Sequence, residues 1–532
     1  MQFSGILTKP IGVLFLMFIL AWQSLPAREI PIADEIPRLY DNLGDFSRAI
    51  TTDSEQAQAY FDQGMRLAYS FARADAAESF RAAQQFDPDC AMCYWGEAWV
   101  LGPYQNNPAG VGDYEEARKA AQDALKRSKG AGAWEQALIV AMATRYPNPG
   151  NNANTEAYAD AMADAAAANG NDKEVNTLYA ESLMMFRPWD LYREDGEPYE
   201  VTLQAIEVLE EVLAQDLAHP GACHLYIHAV EPWQPERAET CADLLADAVP
   251  GVAHMQHMPS HIYMNIGRYG DSVRGNQKAV MVAQASEYDE GFVVYPGHNS
   301  AMLVFAAWMD GQSGVALSAA RDAAGSMHGG NYTYELQLAR FGRWDELLEQ
   351  TTEPGDDFQK GLMLYARGLA RLRTGDTEAA KEAWQVNRTI RAETPEDATH
   401  TFFGFSQRDL LDIAGNLLAG EIAAAEGRYD DAVNLLEEAI QIEDGLVYSE
   451  PEPWPVPVRH VLGAVLLEAD EPEKAEEVYR EALEIHPDNG WSLKGLKQSL
   501  EAQGKQAEAW QAEQKFQEAW KRADVWLPAS RF

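Results

Sequence analysis

The chain has 532 residues, 46% of them apolar and 23% charged, so it can bury a large core and is not a disordered polymer. Its 42 lysines and arginines stand against 83 aspartates and glutamates, a formal charge of −41 spread along the whole length. That balance argues against nucleic acid as a partner, because binding a polyanion needs a basic footprint that releases counterions.

From the N-terminus, Lys9 is the only charge before Arg28, and Ile11 to Trp22 is an apolar run of twelve residues. As a helix the run spans about 18 Å, short of the ~30 Å hydrocarbon core of a bilayer. Gln23-Ser24-Leu25-Pro26-Ala27 then supplies a small residue for cleavage, so residues 1–27 read as a secretory signal peptide cut after Ala27. An uncleaved anchor is the rival reading, and the lack of a Cys after the run argues against a lipoprotein. The mature chain is expected to be periplasmic or secreted, without a second candidate membrane span. Residues 28–52 read as an N-terminal linker.

Internal repetition follows. Tyr60, Gly64, Leu67, Ala76, Phe80, Ala83 and Pro88 fall at the signature positions of a tetratricopeptide repeat. The same frame returns with Gly420, Ala423, Ala432, Leu436 and Ala439, and again with Gly463, Leu466, Ala475, Tyr479, Ala482 and Pro487. Small residues at three of these positions let two antiparallel helices approach closely, bulky ones fill the gaps, and the proline ends the second helix. No helix pair can bury its apolar face alone, so neighbours must stack. Weaker copies run from Trp344 to Trp384 and from Leu493 onward, and Gly267-Arg268-Tyr269 and Gly342-Arg343-Trp344 resemble inter-helix turns. Alternating strand patterns are scarce, and Val293-Val294-Tyr295 is too short to change the reading. The predicted fold is all-α, an α-solenoid of tetratricopeptide-type helix hairpins. A soft boundary at the polar stretch Thr351 to Asp357 divides it into a solenoid over 53–350 and a C-terminal solenoid over 351–532.

Four cysteines in an exported chain favour disulfides. Cys90-Ala-Met-Cys93 has no following His for haem attachment and no second CxxC for zinc, so a local disulfide is expected, with redox chemistry as the alternative. Cys223 and Cys241 are expected to bridge neighbouring helices. Arg187, Trp189 and Asp190 close a helix in a loop, where Trp189 reads as packing and Arg187 as a cap or the partner of an acid. Tyr448 to His460 packs four prolines around Trp454, a loop placed to cover one end of a groove.

Seven of the eleven histidines lie between residues 219 and 298. His224 and His228 are four apart, and so are His257 and His261, so each pair leaves one helix face a turn apart. His254 adds a residue on the face of His257. His298 opens a later helix as a fifth candidate ligand, and Glu231 could ligate, orient a histidine or act as a base. Neutral imidazole suits zinc, copper, iron or nickel, and two HxxxH pairs on nearby helices can surround one ion or two. The cofactor expected is therefore a transition metal ion (zinc, copper or iron), held by His224, His228, His257, His261 and His298. Six histidines would suffice for a coupled dicopper centre. Met255, Met258 and Met264 read as packing residues. Pro259 fits a helix here only at its first turn. The plain alternative is that the imidazoles are ordinary core and groove residues hydrogen-bonded to backbone.

These motifs resemble a family of exported bacterial tetratricopeptide-repeat proteins that is largely uncharacterised. The likeness rests on His219-Pro220-Gly221-Ala222, on His224-x3-His228-Ala229-Val230-Glu231, and on His257-Met258-Pro259-Ser260-His261-Ile262-Tyr263. Phe61 to Pro108, with Asp87-Pro88-Asp89-Cys90 and Tyr94-Trp95-Gly96, is similar as well. So are Arg187-Pro188-Trp189-Asp190, Phe341-Gly342-Arg343-Trp344 and Asp488-Asn489-Gly490-Trp491-Ser492-Leu493. The resemblance implies fold and export, and it supplies no reaction. The family pattern has a second His three residues after the one matching His298, where this chain has Ala301.

Two functions are thus in view. One is a metal-binding solenoid, a metal-dependent hydrolase or oxidase that holds a small molecule or peptide in its concave groove. The other is a non-catalytic scaffold that docks a partner protein or peptide in the same groove. Metal storage or delivery, binding without turnover, is a third. No Gly-rich phosphate loop, GxSxG elbow or HExxH motif supports the common nucleotide, serine-hydrolase or zincin readings.

Overall fold

Nearly every periodic apolar stretch becomes a helix, because a 3.6-residue stripe can be buried only against another helix of the same kind. The computed structural model describes residues 36–532 apart from 151, 194, 324–331 and 401–403. The signal peptide expected over residues 1–27 and the start of the linker lie outside the described residues. Among the described residues the only sheet is a two-residue pair, Thr399–His400 antiparallel to Phe405–Ser406. No helix in them is long and apolar enough to cross a membrane.

The chain divides into two compact units. The first holds the helices Arg73–Phe86, Ala91–Leu101, Tyr114–Arg127, Ala133–Arg145 and Thr155–Asn169, with the start of Glu55–Tyr69. Its packing follows the repeat frame. The Phe80 ring seats between two glycines, and a Cβ would come within 2.7 Å of it at Gly64 and 2.4 Å at Gly96. Cys90 and Cys93 form a disulfide at the start of Ala91–Leu101.

The second unit comprises residues 40–48, 65–72 and 170–532, and it continues without a break through the polar stretch 351–357. Its successive hairpins share one turn. At Gly267-Arg268-Tyr269 and Gly342-Arg343-Trp344 the glycine is left-handed, with φ of 80° and 65°. The arginine N–H donates to the carbonyl five residues back, Tyr263 or Leu338, and the next helix begins on the aromatic residue. Gly427-Arg428-Tyr429 repeats the turn, with Arg428 N–H donating to Ala423. Only glycine takes this cap without a Cβ penalty. In the C-terminal repeats Tyr479 is clasped between Gly463 and Gly495, the counterpart of Phe80 in the first unit. Cys223 and Cys241 are bonded and tie the helix Pro220–Val230 to Glu239–Ala248.

Candidate metal centre

The helix Pro220–Val230 begins at His219. The imidazole there accepts the Ala222 N–H at 3.1 Å and pairs with Glu174 at 3.0 Å, so His219 caps the helix and takes no part in the cluster. One and two turns later, His224 and His228 leave the helix on one face. A second segment is helical over Ala253–His257 and resumes at Pro259–Asn265, with Pro259 in the first turn as its missing N–H requires. It delivers His254, His257 and His261. His298 comes from the first turn of Pro296–Met309, which is entered through Tyr295 in the left-handed region.

These side chains sort into two sets of three. Within His224, His228 and His254, and within His257, His261 and His298, the ligand atoms lie within 4.8 Å of one another. The sets are adjacent, with ring centroids 5.9 Å apart for His254 and His257 and 6.3 Å apart for His228 and His261. A third group, Glu231, His261 and Glu450, meets the same distance.

Every HxxxH imidazole has an acceptor near its outer nitrogen. His224 Nδ1 lies 2.6 Å from the Tyr69 carbonyl, which can only accept, so Nδ1 carries the hydrogen and Nε2 is bare. His257 Nδ1 lies 2.6 Å from Asn276 Oδ1, whose amide nitrogen donates to the Ser272 carbonyl. His228 Nδ1 lies 3.3 Å from one oxygen of Glu231, and His261 Nδ1 lies 3.2 Å from the other. Glu450 also contacts His261 Nδ1. One carboxylate therefore orients a histidine in each set.

The Nε2 atoms converge. They are separated by 3.1 Å between His224 and His254, 2.7 Å between His257 and His261, and 3.4 Å between His261 and His298. Two nitrogens bound to one ion at about 2.0–2.1 Å in a tetrahedral arrangement stand roughly 3.3 Å apart, so the sets are of a size to hold ions. His228 Nε2 and His254 Nδ1 are buried without a hydrogen-bond partner, each at a cost of about 1–3 kcal/mol unless something binds there. The donor set fits a transition metal, with imidazole nitrogens inside and carboxylate, amide and carbonyl oxygens outside. A proton can serve in place of a metal between His257 and His261.

The electrostatics match this layout. Burial, reinforced by the neighbouring imidazoles, holds His254 and His257 well below the ordinary histidine range, so both are neutral. Burial also opposes charge on His261, but Glu450 and Glu231 outweigh it and raise its pKa. Burial likewise opposes ionisation of Glu231, and His261 and His228 outweigh it and keep the carboxylate charged.

Sequence reasoning placed the pairs on an open concave groove. The structure instead buries them: His224, His228, His254, His257 and His261 are 0–2% exposed, and only His298 is half-buried. Residues 65–72 and the proline-rich loop supply the cover, through Tyr69, Phe71 and Glu450. All five predicted ligands come together, and His254 joins the first HxxxH pair rather than the second. Glu450, Asn276 and the Tyr69 carbonyl were not foreseen; only the proline-rich loop carrying Glu450 had any signal. Arg187 pairs with Asp190 and lies over Tyr199 at 3.7 Å, while Trp189 meets the His228 ring edge-on at 5.8 Å. Met255 and Met258 are core residues.

Comparison with known proteins bears on the scaffold. A tetratricopeptide-repeat family model matches residues 412–488. This segment is a tetratricopeptide-repeat array. No curated protein matches the sequence. Among solved structures, this repeat chain is similar to one in the crystal structure of the APC/C hetero-tetramer Cut9-Hcn1. That match has 14% identity and TM-score 0.30, over 85% of this chain and 78% of that one. It is also similar to human IFIT1, solved as a dimer with m7Gppp-AAAA, at 12% identity and TM-score 0.31 over 88% and 91%.

Proposed function

We propose that this protein is an exported tetratricopeptide-type solenoid that holds transition-metal ions in a buried histidine centre, and that the centre serves a hydrolytic or oxidative reaction. One observation carries the reading. His224, His228 and His257 each have an acceptor on Nδ1, His261 Nδ1 faces the carboxylates of Glu231 and Glu450, and the rings meet one another in a shared interior, the arrangement by which outer partners orient metal-bound histidines. His224, His228, His254, His257, His261 and His298 are the ligands in this reading, and Glu231, Glu450 and Asn276 are positioning residues. Export fits the apolar N-terminal run and two disulfides.

The deciding experiment is the metal content of untagged protein by elemental mass spectrometry, beside a His224→Ala/His257→Ala double variant shown to be folded. Near-stoichiometric zinc, copper or iron that disappears in the variant supports the site. Absence of metal after reconstitution with each ion would end the metal reading. A second reading, a scaffold that docks a protein or peptide, is favoured by the repeat match at residues 412–488, since stacked repeats present extended binding surfaces. On that reading, deleting the metal ligands leaves partner capture unchanged.

A further inference from the structure

We infer that the six imidazoles hold a pair of copper(I) ions, three to each, and that the pair binds dioxygen. This rests on the metal reading above and commits it to one ion and one small ligand.

The donors come first. Each three-histidine set offers imidazole nitrogens, which are neutral ligands once an ion is bound, and imidazole suits copper among the first-row metals. The sets lie side by side, with His254 against His257 and His228 against His261, so two ions held there can share one small ligand.

Charge then selects the oxidation state. Neutral imidazoles cancel none of the charge an ion brings, and uncompensated charge in a protein interior costs several kcal/mol per ion. Among the described residues two carboxylates touch the cluster, Glu231 and Glu450, at 2% and 6% exposure, and both lie on the outer nitrogen of His261. Two monovalent ions balance them. Two divalent ions leave an excess of two positive charges that a dianionic ligand must cancel.

Dioxygen supplies that ligand. Each copper(I) gives up one electron, dioxygen takes both, and the product is a peroxide dianion between two copper(II) ions. Two electrons leave the metal pair and two reach the oxygen pair. No proton moves, and the buried assembly is neutral before and after. Size agrees with this choice. Phe71 packs on the first set, tilted with its centroid 4.3 Å from the His224 ring, and Tyr295 lies edge-on to His254 at 5.2 Å. Only His298 among the six reaches the surface, which suits a diatomic ligand better than a peptide.

The test loads the purified full chain anaerobically with copper(I) against a chromophoric copper(I) chelator. An oxygen electrode and electron paramagnetic resonance then follow the addition of air. The expected result is two coppers per chain, one dioxygen taken up per copper pair, and no copper(II) resonance in the oxygenated protein, because the two spins couple. His254→Ala and His298→Ala each remove one ligand from one set. Either variant should keep one tightly held copper, lose oxygen uptake and show an ordinary copper(II) resonance in air, with circular dichroism confirming the fold. One copper per chain in the parent protein would overturn the inference, as would a full copper(II) resonance after aeration. Exclusive uptake of zinc or iron would overturn it while leaving the metal reading intact, and failure to bind any ion would end both.

Discussion

Replacing Glu231 by glutamine tests the arrangement at its most informative point. The substitution keeps the shape of the side chain and removes its charge. In the native protein the two oxygens of Glu231 serve two different histidines, His228 at 3.3 Å and His261 at 3.2 Å. Glutamine has one carbonyl oxygen, so it can satisfy one of those Nδ1–H groups while its NH2 opposes the other. A hydrogen bond to a charged group contributes about 1.5–3 kcal/mol. Loss of an outer partner of a metal-bound histidine typically weakens metal affinity by about 10–100-fold, equivalent to roughly 1.4–2.7 kcal/mol. Because His228 and His261 belong to different sets, both binding steps of a chelator-competition titration should weaken in Glu231→Gln. Asn276→Ala is the control, since Asn276 Oδ1 holds only His257, and one step should weaken there while the other stays. If both affinities in Glu231→Gln stay within about threefold of the parent protein, the reasoning from shared orientation is wrong. It is equally wrong if only one step moves.

Other outcomes follow from the scaffold. Gly495→Ala should destabilise the C-terminal repeats by about 2 kcal/mol, because its Cβ would lie 2.0 Å from the Tyr479 ring and overpacking outweighs the gain in helix propensity. A higher urea midpoint would contradict that packing. Breaking the Cys223–Cys241 bond, which spans 18 residues, should cost about 3 kcal/mol in denaturant unfolding, compared between Cys241→Ser and the oxidised parent. His460 is fully buried, accepts an N–H from Arg340 at 2.9 Å, and is held well below its ordinary pKa by burial and then by Arg340. The unfolded chain therefore binds a proton near pH 6.5 that the folded chain refuses. Its contribution is intact above that pH and lost as pH falls, at up to about 1.4 kcal/mol per unit. His460→Gln should flatten the acid limb of a stability–pH curve, and an unchanged slope would refute the assignment. N-terminal sequencing of protein recovered from the periplasm should begin at Arg28, and a retained apolar run would favour the anchor instead.

Much of this molecule was legible in one dimension, for reasons that are local. Spacing of small and bulky residues predicts which glycine faces which ring, and the Gly64–Phe80 and Gly463–Tyr479 contacts follow from a helix pair that can close only there. HxxxH places two imidazoles on one helix face wherever the helix sits, and Pro259 could occupy only a first turn. Cys223 lies on the helix of His224, and its bond to the next long helix was within reach of spacing and compartment.

What spacing could not decide is which imidazole works with which. His254 shares a helical segment with His257 yet faces His224 at 3.1 Å, because the packing of that segment against Pro220–Val230 sets its direction. The acceptors that fix the tautomers come from far along the chain: the Tyr69 carbonyl is 155 residues from His224, and Glu450 lies on a loop well beyond His261. A carbonyl oxygen has no signature in sequence, and an isolated acid in a chain of 83 acidic residues has none either. Composition, period and motif determined that the chain is a helical repeat protein carrying two histidine pairs, each on one helix face. Only the tertiary structure decided that they are buried, split three and three and joined through one carboxylate, because those facts depend on contacts between segments and not on periodicity within them.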